Sequence, residues 1–352
     1  MNMGIYLDSG YFNPNHAMNN GCTYSFIIGG RGTGKTFGCL QTVIDKELKF
    51  IYMRRTQTQV DMIRSDDFNP FKSLTRVLGE KYNFKIKKIN KDISGVYETA
   101  YNEDKQQNEA AGPALGYVLA LSTISNIRGF DASDIDVIIY DEFIPEKHEK
   151  PIRAEGEAFL NAIETISRNR EIDGREPLKV LCLSNANDLV CPLFIEMGVV
   201  HIVEKMVNKN VTYRTVPEKA AAFYMLTDSP ISKKKAETSL YQLAGSSDFT
   251  KMSILNDFSA EQKDLIRSCN IIEYKPMVQV GEICIYIHKS NRTYYITGLS
   301  SGSPEVYGSS VMELKRFSRN YYFLWLAYLN RLITFESYLY QALFEKYFNV
   351  KK

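Results

Sequence analysis

Eight consecutive residues, Gly29-Gly30-Arg31-Gly32-Thr33-Gly34-Lys35-Thr36, fit the spacing G-x-x-x-x-G-K-[ST]. That spacing suits a polyphosphate. Glycines let the backbone turn its N–H groups around an anion, the lysine adds mobile charge at the β and γ phosphates, and the threonine hydroxyl reaches toward Mg²⁺. A glycine-rich turn that merely contains Gly-Lys-Thr is the alternative for the octapeptide on its own. A second cluster narrows the choice: Asp136-Val137-Ile138-Ile139-Tyr140-Asp141-Glu142 is an apolar run closing in two adjacent acids. Neighbouring strand residues point to opposite faces, so Asp141 is expected to face the glycine turn while Glu142, just past the strand, turns to the far side of the phosphates. Asp141 would then hold Mg²⁺ through its water shell, and Glu142 would orient and polarise the water that attacks the terminal phosphate. Taken alone, the pair also reads as two solvated acids capping a strand. A third run, Val180-Leu181-Cys182-Leu183-Ser184-Asn185-Ala186-Asn187, again carries an apolar segment into amides. Asn185 there reads either as a turn residue or as a hydrogen-bond partner of the attacking water and the γ-phosphate.

The elements that must position these groups follow from the apolar pattern. Thr23–Ile28 is a short run of β-formers that stops at the glycine turn, a helical pattern follows to Leu48, and Phe50–Met53 reads as a second buried strand. Strand, glycine turn, helix, strand demands a parallel crossover and opens an α/β sheet. Gly116–Leu121, Val137–Tyr140 and Val180–Leu183 are further central strands, and Phe159, Ile163 and Ile166 predict a helix over 152–170. From about Val203 the chain turns polar, which predicts a linker at 204–222 between domains at 1–203 and 223–352. In the second domain, Val278–Ile287 and Thr293–Ile296 read as two strands around Lys289-Ser290-Asn291, and Met312–Phe348 as helical and aromatic. The expected fold is thus α/β: a nucleotide-binding domain with a mostly parallel sheet, and a smaller mixed α/β domain.

With 352 residues, the chain exceeds the roughly 250 to 300 at which a single core stops growing. Its 43 Lys plus Arg against 41 Asp plus Glu leave a net charge of +2, so any basic surface must be local. The 44% hydrophobic content excludes a disordered chain, and the longest apolar stretch, Tyr321–Leu329, is far short of the roughly 18 to 20 residues a bilayer requires. Met1–Gly10 lacks the pattern of a secretory signal. Six cysteines with no Cys-x-x-Cys pair lead to the expectation of a reducing cytoplasm and no structural zinc.

Further motifs carry a family resemblance. Tyr11-Phe12-Asn13-Pro14, Phe26–Thr36, Phe50-Ile51-Tyr52, Asp141-Glu142-Phe143-Ile144, Ser167-Arg168-Asn169-Arg170-Glu171 and Leu183-Ser184-Asn185-Ala186 occur in one order over most of the first 200 residues. In this the chain resembles the DNA-packaging ATPases of small tailed phages with protein-primed genomes, compact relatives of the large terminases. The resemblance implies ATP and Mg²⁺ as cofactors and a ring, five subunits in the best-known relatives, that sits on the capsid portal and drives double-stranded DNA inward. It implies an enzyme of the host cytoplasm, transiently bound to the prohead, with a structural packaging RNA as a further partner in some relatives.

By the same likeness Arg168 is the arginine finger reaching the neighbour's γ-phosphate, Arg170 the alternative finger, and Arg128 a second trans-acting cation. Without the resemblance, Arg168 and Arg170 read as cations at a helix C-terminus, paired with its dipole. Tyr11–Pro14 matches an adenine-contacting segment, and Arg31 an extra phosphate contact. Arg54 and Arg55 are candidate DNA contacts, although Gln57 stands where some relatives carry lysine; Lys85, Lys87, Lys88 and Lys91 form a second basic cluster near an expected hairpin. The tail resembles a vestigial RNase H-like nuclease domain. Ile283–His288 and Tyr294–Thr297 hold no aspartate for metal-dependent cutting, so no DNA cleavage is expected. Lys233-Lys234-Lys235 reads as a solvated charge run. Competing classes are a helicase or recombination ATPase, and a nucleotide-gated adaptor that does not hydrolyse.

Overall fold

The computed structural model describes residues 4–127, 129–130, 132–146, 149–150, 152–185, 190–227, 229–245 and 264–349. The chain divides into two compact units, one built from 1–197 with 205–258 and the other from 198–204 with 259–352.

In the first unit the elements run α1 (Pro14–Met18), β1 (Tyr24–Gly29), α2 (Lys35–Asp45), β2 (Phe50–Arg54), α3 (Gln57–Ile63), α4 (Phe71–Leu78), β3 (Phe84–Lys88), β4 (Ile93–Asn102), β5 (Gln107–Ala120), β6 (Val137–Asp141), α5 (Glu155–Ser167), β7 (Lys179–Ser184), β8 (Tyr213–Val216) and β9 (Ala221–Leu226). These strands form one sheet in the order β3-β4-β5-β2-β6-β7-β1-β9-β8. Its centre, from β5 through β9, is parallel, while β3, β4 and β8 add antiparallel edges. Parallel strands need cover on both faces, and alternate residues supply it. Ile27, Ile139 and Leu181 share one cluster with Leu40 and Val43 of α2. On the other face Phe26 stacks on Phe223 at 5.2 Å between centroids, and Tyr140 stacks on Phe159 of α5 at 5.6 Å.

Expected and observed elements differ where apolar content and turn chemistry were weak signals. Helix α5 starts at Glu155 and ends at Ser167, three residues inside each end of the expected span. The polar region after Tyr82 is a three-stranded antiparallel edge, and Lys87, Lys88 and Lys91 lie exposed on its outermost hairpin. The region 204–222 is no linker. Within it β8 forms and β9 begins, and β9 pairs in parallel with β1 from Tyr24–Ala221 to Gly29–Leu226, with every residue buried. A boundary at 223 would cut that strand; the Ala-Ala-Ala start of the run hid a fully buried strand beneath a polar-looking flank.

The second unit carries β10 (Tyr274–Val280), β11 (Ile283–His288), β12 (Tyr294–Thr297), β13 (Glu305–Tyr307) and β14 (Ile333–Phe335), ordered β13-β10-β11-β12-β14. The single strand expected over 278–287 is two strands, because Gly281 at φ +52 opens a two-residue reversal that pairs Val280 with Ile283. The helical tail likewise divides into helices at Val311–Asn320, Tyr322–Leu329 and Tyr338–Phe348, with β14 inserted. No helix among the described residues is long and apolar enough to cross a membrane.

Candidate functional site: a polyphosphate cleft at the strand ends

The first strand delivers the glycine turn to the carboxyl end of the sheet, where parallel α/β folds bind ligands. Gly32 and Gly34 adopt φ of +72 and +86, a region other residues rarely occupy, and Gly34 caps α2, so the helix begins at Lys35. The first-turn N–H groups of α2 therefore have no side-chain cap and suit an anion. Lys35 is buried, and its Nζ donates to the carbonyls of Gly29 and Gly30 at 2.8 and 2.9 Å and to Thr33 Oγ1 at 3.3 Å. Burial is the main cause that pushes its pKa down, to about 8; Lys235 adds to this, while Asp141, Cys39 and Glu142 oppose it.

Strand order decides which groups meet this turn. Strand β7 lies between β1 and β6, so the ends of β6 and β7 both open beside the glycine turn. Asp141 ends β6, and its Oδ2 accepts from Thr36 Oγ1 at 3.0 Å. Thr36 and Asp141 thus face each other with oxygen donors only, which fits Mg²⁺, an ion that takes one or two protein oxygens and leaves the rest to phosphates and water. Glu142 follows at φ +59, an uncommon backbone for a glutamate, and its N–H donates to Asp141 Oδ1 at 3.1 Å. Burial raises the Glu142 pKa most, Arg54 opposes this, and the carboxylates of Asp141, Glu149 and Glu146 add to the rise. A carboxylate with a raised pKa is a stronger base. Asn185, one residue beyond β7, lines the same cleft of about 540 Å³ as Lys35, Thr36, Asp141 and Glu142.

Other expected site residues are distributed differently. Arg54 and Arg55, the candidate DNA contacts, are both drawn into ion pairs within the subunit. Arg54 has only 12% of its side chain exposed, contacts Asp141 Oδ2 at 3.2 Å and also pairs with Glu142. Arg55 is fully buried, held by Glu155 at 2.7 and 2.9 Å and Glu149 at 2.6 Å. Their burial comes from the strand itself: Tyr52 and Arg54 share one face of β2, and Arg55, one residue on, turns to the other and meets α5. Arg170 is also withdrawn, buried and bonded to the Ile135 carbonyl and to Asp136 at 3.5 Å. Arg168 is exposed and donates to the Phe130 carbonyl at 2.9 Å. Arg170's partners Ile135 and Asp136 precede β6, at the strand end opposite Asp141, and Arg168 lies two residues before Arg170. Arg128 lies outside the described residues. Arg31 is exposed and pairs with Glu146 at 2.7 Å. Tyr11 packs against the Gly34 backbone and is 41% exposed, whereas Phe12 is buried in the core.

Sequence reasoning does not single out several residues at the cleft, Phe37 among them. The Tyr52 hydroxyl donates to Asp141 Oδ2 at 2.7 Å. Pro70 and Ser73, at the start of α4, form part of the cleft wall. The signal for Tyr52 was its parity with Arg54 at the end of a buried strand; nothing local marks Pro70 or Ser73.

The Lys35 environment carries a pH prediction. A bound polyphosphate restores the charged form, so binding takes up a proton wherever the free lysine has lost one. Nucleotide affinity is expected to hold up to about pH 8 and then fall by about tenfold per pH unit. Equilibrium titrations from pH 7 to 9.5 check this, with Lys35→Ala weak and without that fall; a flat wild-type profile would refute it.

Comparison with known proteins places these residues among relatives. The family model described as podovirus DNA encapsidation protein (Gp16) matches residues 7–296. The chain is similar to a DNA packaging protein of Bacillus phage B103, 27% identical over 243 residues, covering 66% of this chain and 64% of that protein. It is 25% identical over 262 residues to a DNA packaging protein of Bacillus phage phi29, covering 73% and 68%. The match thus spans about two thirds of the length of these relatives. Among solved structures, the bacteriophage phi29 viral genome packaging motor assembly shares the fold with a TM-score of 0.65 at 18% identity, over 97% of this chain and 99% of that one.

Proposed function

Because the chain belongs to the podovirus DNA encapsidation protein (Gp16) family, we propose that it is an ATP-driven translocase that moves double-stranded viral DNA through a portal into a preformed capsid. One observation carries the reading: Lys35, Thr36, Asp141, Glu142 and Asn185 converge on a single cleft from the start of α2 and the ends of β6 and β7. No simpler phosphate-binding role needs a base opposite the metal partner.

In this mechanism the backbone N–H groups of residues 32–36 and the Lys35 ammonium cradle the phosphates of ATP. Mg²⁺, held by Thr36 and Asp141, would neutralise charge on the β and γ oxygens. Glu142 orients a water whose oxygen attacks the γ-phosphorus and accepts its proton as the bond to the bridging oxygen breaks. Asn185 donates to the γ-phosphate and loses that partner on hydrolysis. Arg54 balances Asp141 and Glu142, whose adjacent charges would otherwise repel. Tyr11, exposed beside the glycine turn, suits the adenine.

Arg168, exposed just after α5, completes a neighbour's site, which requires a ring of identical subunits, a pentamer by family resemblance. Its partners would be the duplex, the portal and, as in some relatives, a packaging RNA, with the work done in the host cytoplasm on the prohead. With Arg54 and Arg55 engaged inside the subunit, the exposed Lys87, Lys88 and Lys91 hairpin becomes the basic cluster available for weak phosphate contacts repeated around the ring. ATP turnover is expected to rise in the presence of duplex DNA and empty capsids, with DNA becoming nuclease-protected. Stimulation by single strands with strand separation would favour a helicase instead.

A further inference from the structure

Helix Pro230–Ala236 of the first unit lies against the glycine turn, two hundred residues away in sequence. Its base is anchored to the N-terminal loop: Pro230 packs on Gly10, and Ser229 Oγ donates to the Gly10 carbonyl at 3.4 Å. Its last turn carries Lys235 over the loop that cradles phosphate. There Nζ donates to the Arg31 carbonyl and stands 3.0 Å from where a Cβ on Gly32 would sit. Among the described residues no carboxylate pairs with Lys235; its other neighbour is the face of Tyr241, 5.5 Å away. Lys35 is likewise held by carbonyl and hydroxyl oxygens. Two ammonium groups therefore approach one short loop through backbone and hydroxyl acceptors; Asp141 and Glu142 favour the Lys35 charge, Lys235 opposes it, and a polyphosphate would relieve that repulsion.

We propose that Lys235 is a second phosphate ligand acting within its own subunit, exchanging the Arg31 carbonyl for an oxygen of the nucleotide's phosphate chain and thereby clamping helix Pro230–Ala236 onto bound nucleotide. The proposal rests on the reading of the cleft as a nucleoside triphosphate site. The helix is held at Gly10 and the glycine turn by Phe12, whose N–H donates to the Thr33 carbonyl at 2.9 Å, so the Lys235 ammonium already lies beside Gly32.

The test is equilibrium binding of a non-hydrolysable ATP analogue to the full chain. Lys235→Gln keeps an N–H donor for the Arg31 carbonyl but has no charge, so a purely structural hook survives in it. Loss of a charge-assisted bond is expected to weaken binding roughly ten- to hundredfold, while Lys235→Arg stays within a few-fold of wild type. In the wild-type chain, the analogue is also expected to protect the Lys235 amine from acylation read by mass spectrometry. Wild-type affinity in Lys235→Gln, or labelling of Lys235 that the analogue does not change, would overturn the proposal, provided Lys35→Ala loses binding. Wild-type affinity in Lys35→Ala would overturn the nucleotide reading itself and the proposal with it.

Discussion

Replacing Arg168 with alanine is expected to slow ATP turnover by about 10³- to 10⁵-fold while leaving nucleotide affinity near wild type, the loss typical of a missing arginine finger. The size follows from what the guanidinium does: charge spreads over the equatorial oxygens as the γ-phosphoryl departs, and a cation delivered from outside meets it only in the transition state. In the proposed mechanism that cation comes from a neighbour. Arg168 bonds the Phe130 carbonyl, and Arg170, two residues on, bonds Ile135 and Asp136 just before β6, while Asp141 ends that strand in the cleft. Arg170, the other candidate, is buried against Ile135 and Asp136; Arg170→Ala is expected to lower stability instead. A mixing experiment separates the roles. Arg168→Ala and Glu142→Gln subunits, each inactive alone, should regain some turnover when combined, since some interfaces then hold an intact Glu142 and an intact Arg168. Absence of rescue would count against action in trans.

Glu142→Gln should bind ATP as wild type does and hydrolyse it about 10² to 10⁴ times more slowly. An amide keeps the shape of the carboxyl but cannot take a proton from water. The contact with Arg54 sharpens the expectation: the variant removes one of the two carboxylates that Arg54 balances and leaves Asp141 paired, so the metal partner and the glycine turn stay intact. Direct measurement of binding beside single-turnover hydrolysis distinguishes this from a folding defect. Unchanged turnover would instead support a nucleotide-gated adaptor that does not hydrolyse.

Parts of this site were legible because they are encoded within a few residues of one another. Gly29–Thr36 carries its own positive-φ glycines and helix start, and Asp136–Glu142 its own apolar strand and closing acids. The arginine pair was misread for the complementary reason. Arg54 and Arg55 look alike in sequence, but a strand sends neighbours to opposite faces, so one meets Asp141 and Glu142 while the other is buried on Glu155. Knowing that β2 pairs with β6, with Met53 beside Tyr140, would have been enough to put Arg54 next to Asp141. No local pattern states that pairing.

Lys235 extends the point. Three consecutive lysines read as a solvated run, yet the turn of one helix brings only the third to the phosphate loop. By itself the sequence determined the glycine turn, the paired acids, the central strands and the α/β class, since backbone preference and apolar period act over a handful of residues. The tertiary structure alone decided strand order, the place of β9 beside β1, which arginines are buried and which lysine reaches the glycine turn. Sheet hydrogen bonds join backbone to backbone and are nearly indifferent to side-chain identity, so strand neighbours are chosen by packing of the whole core and not by any local signal.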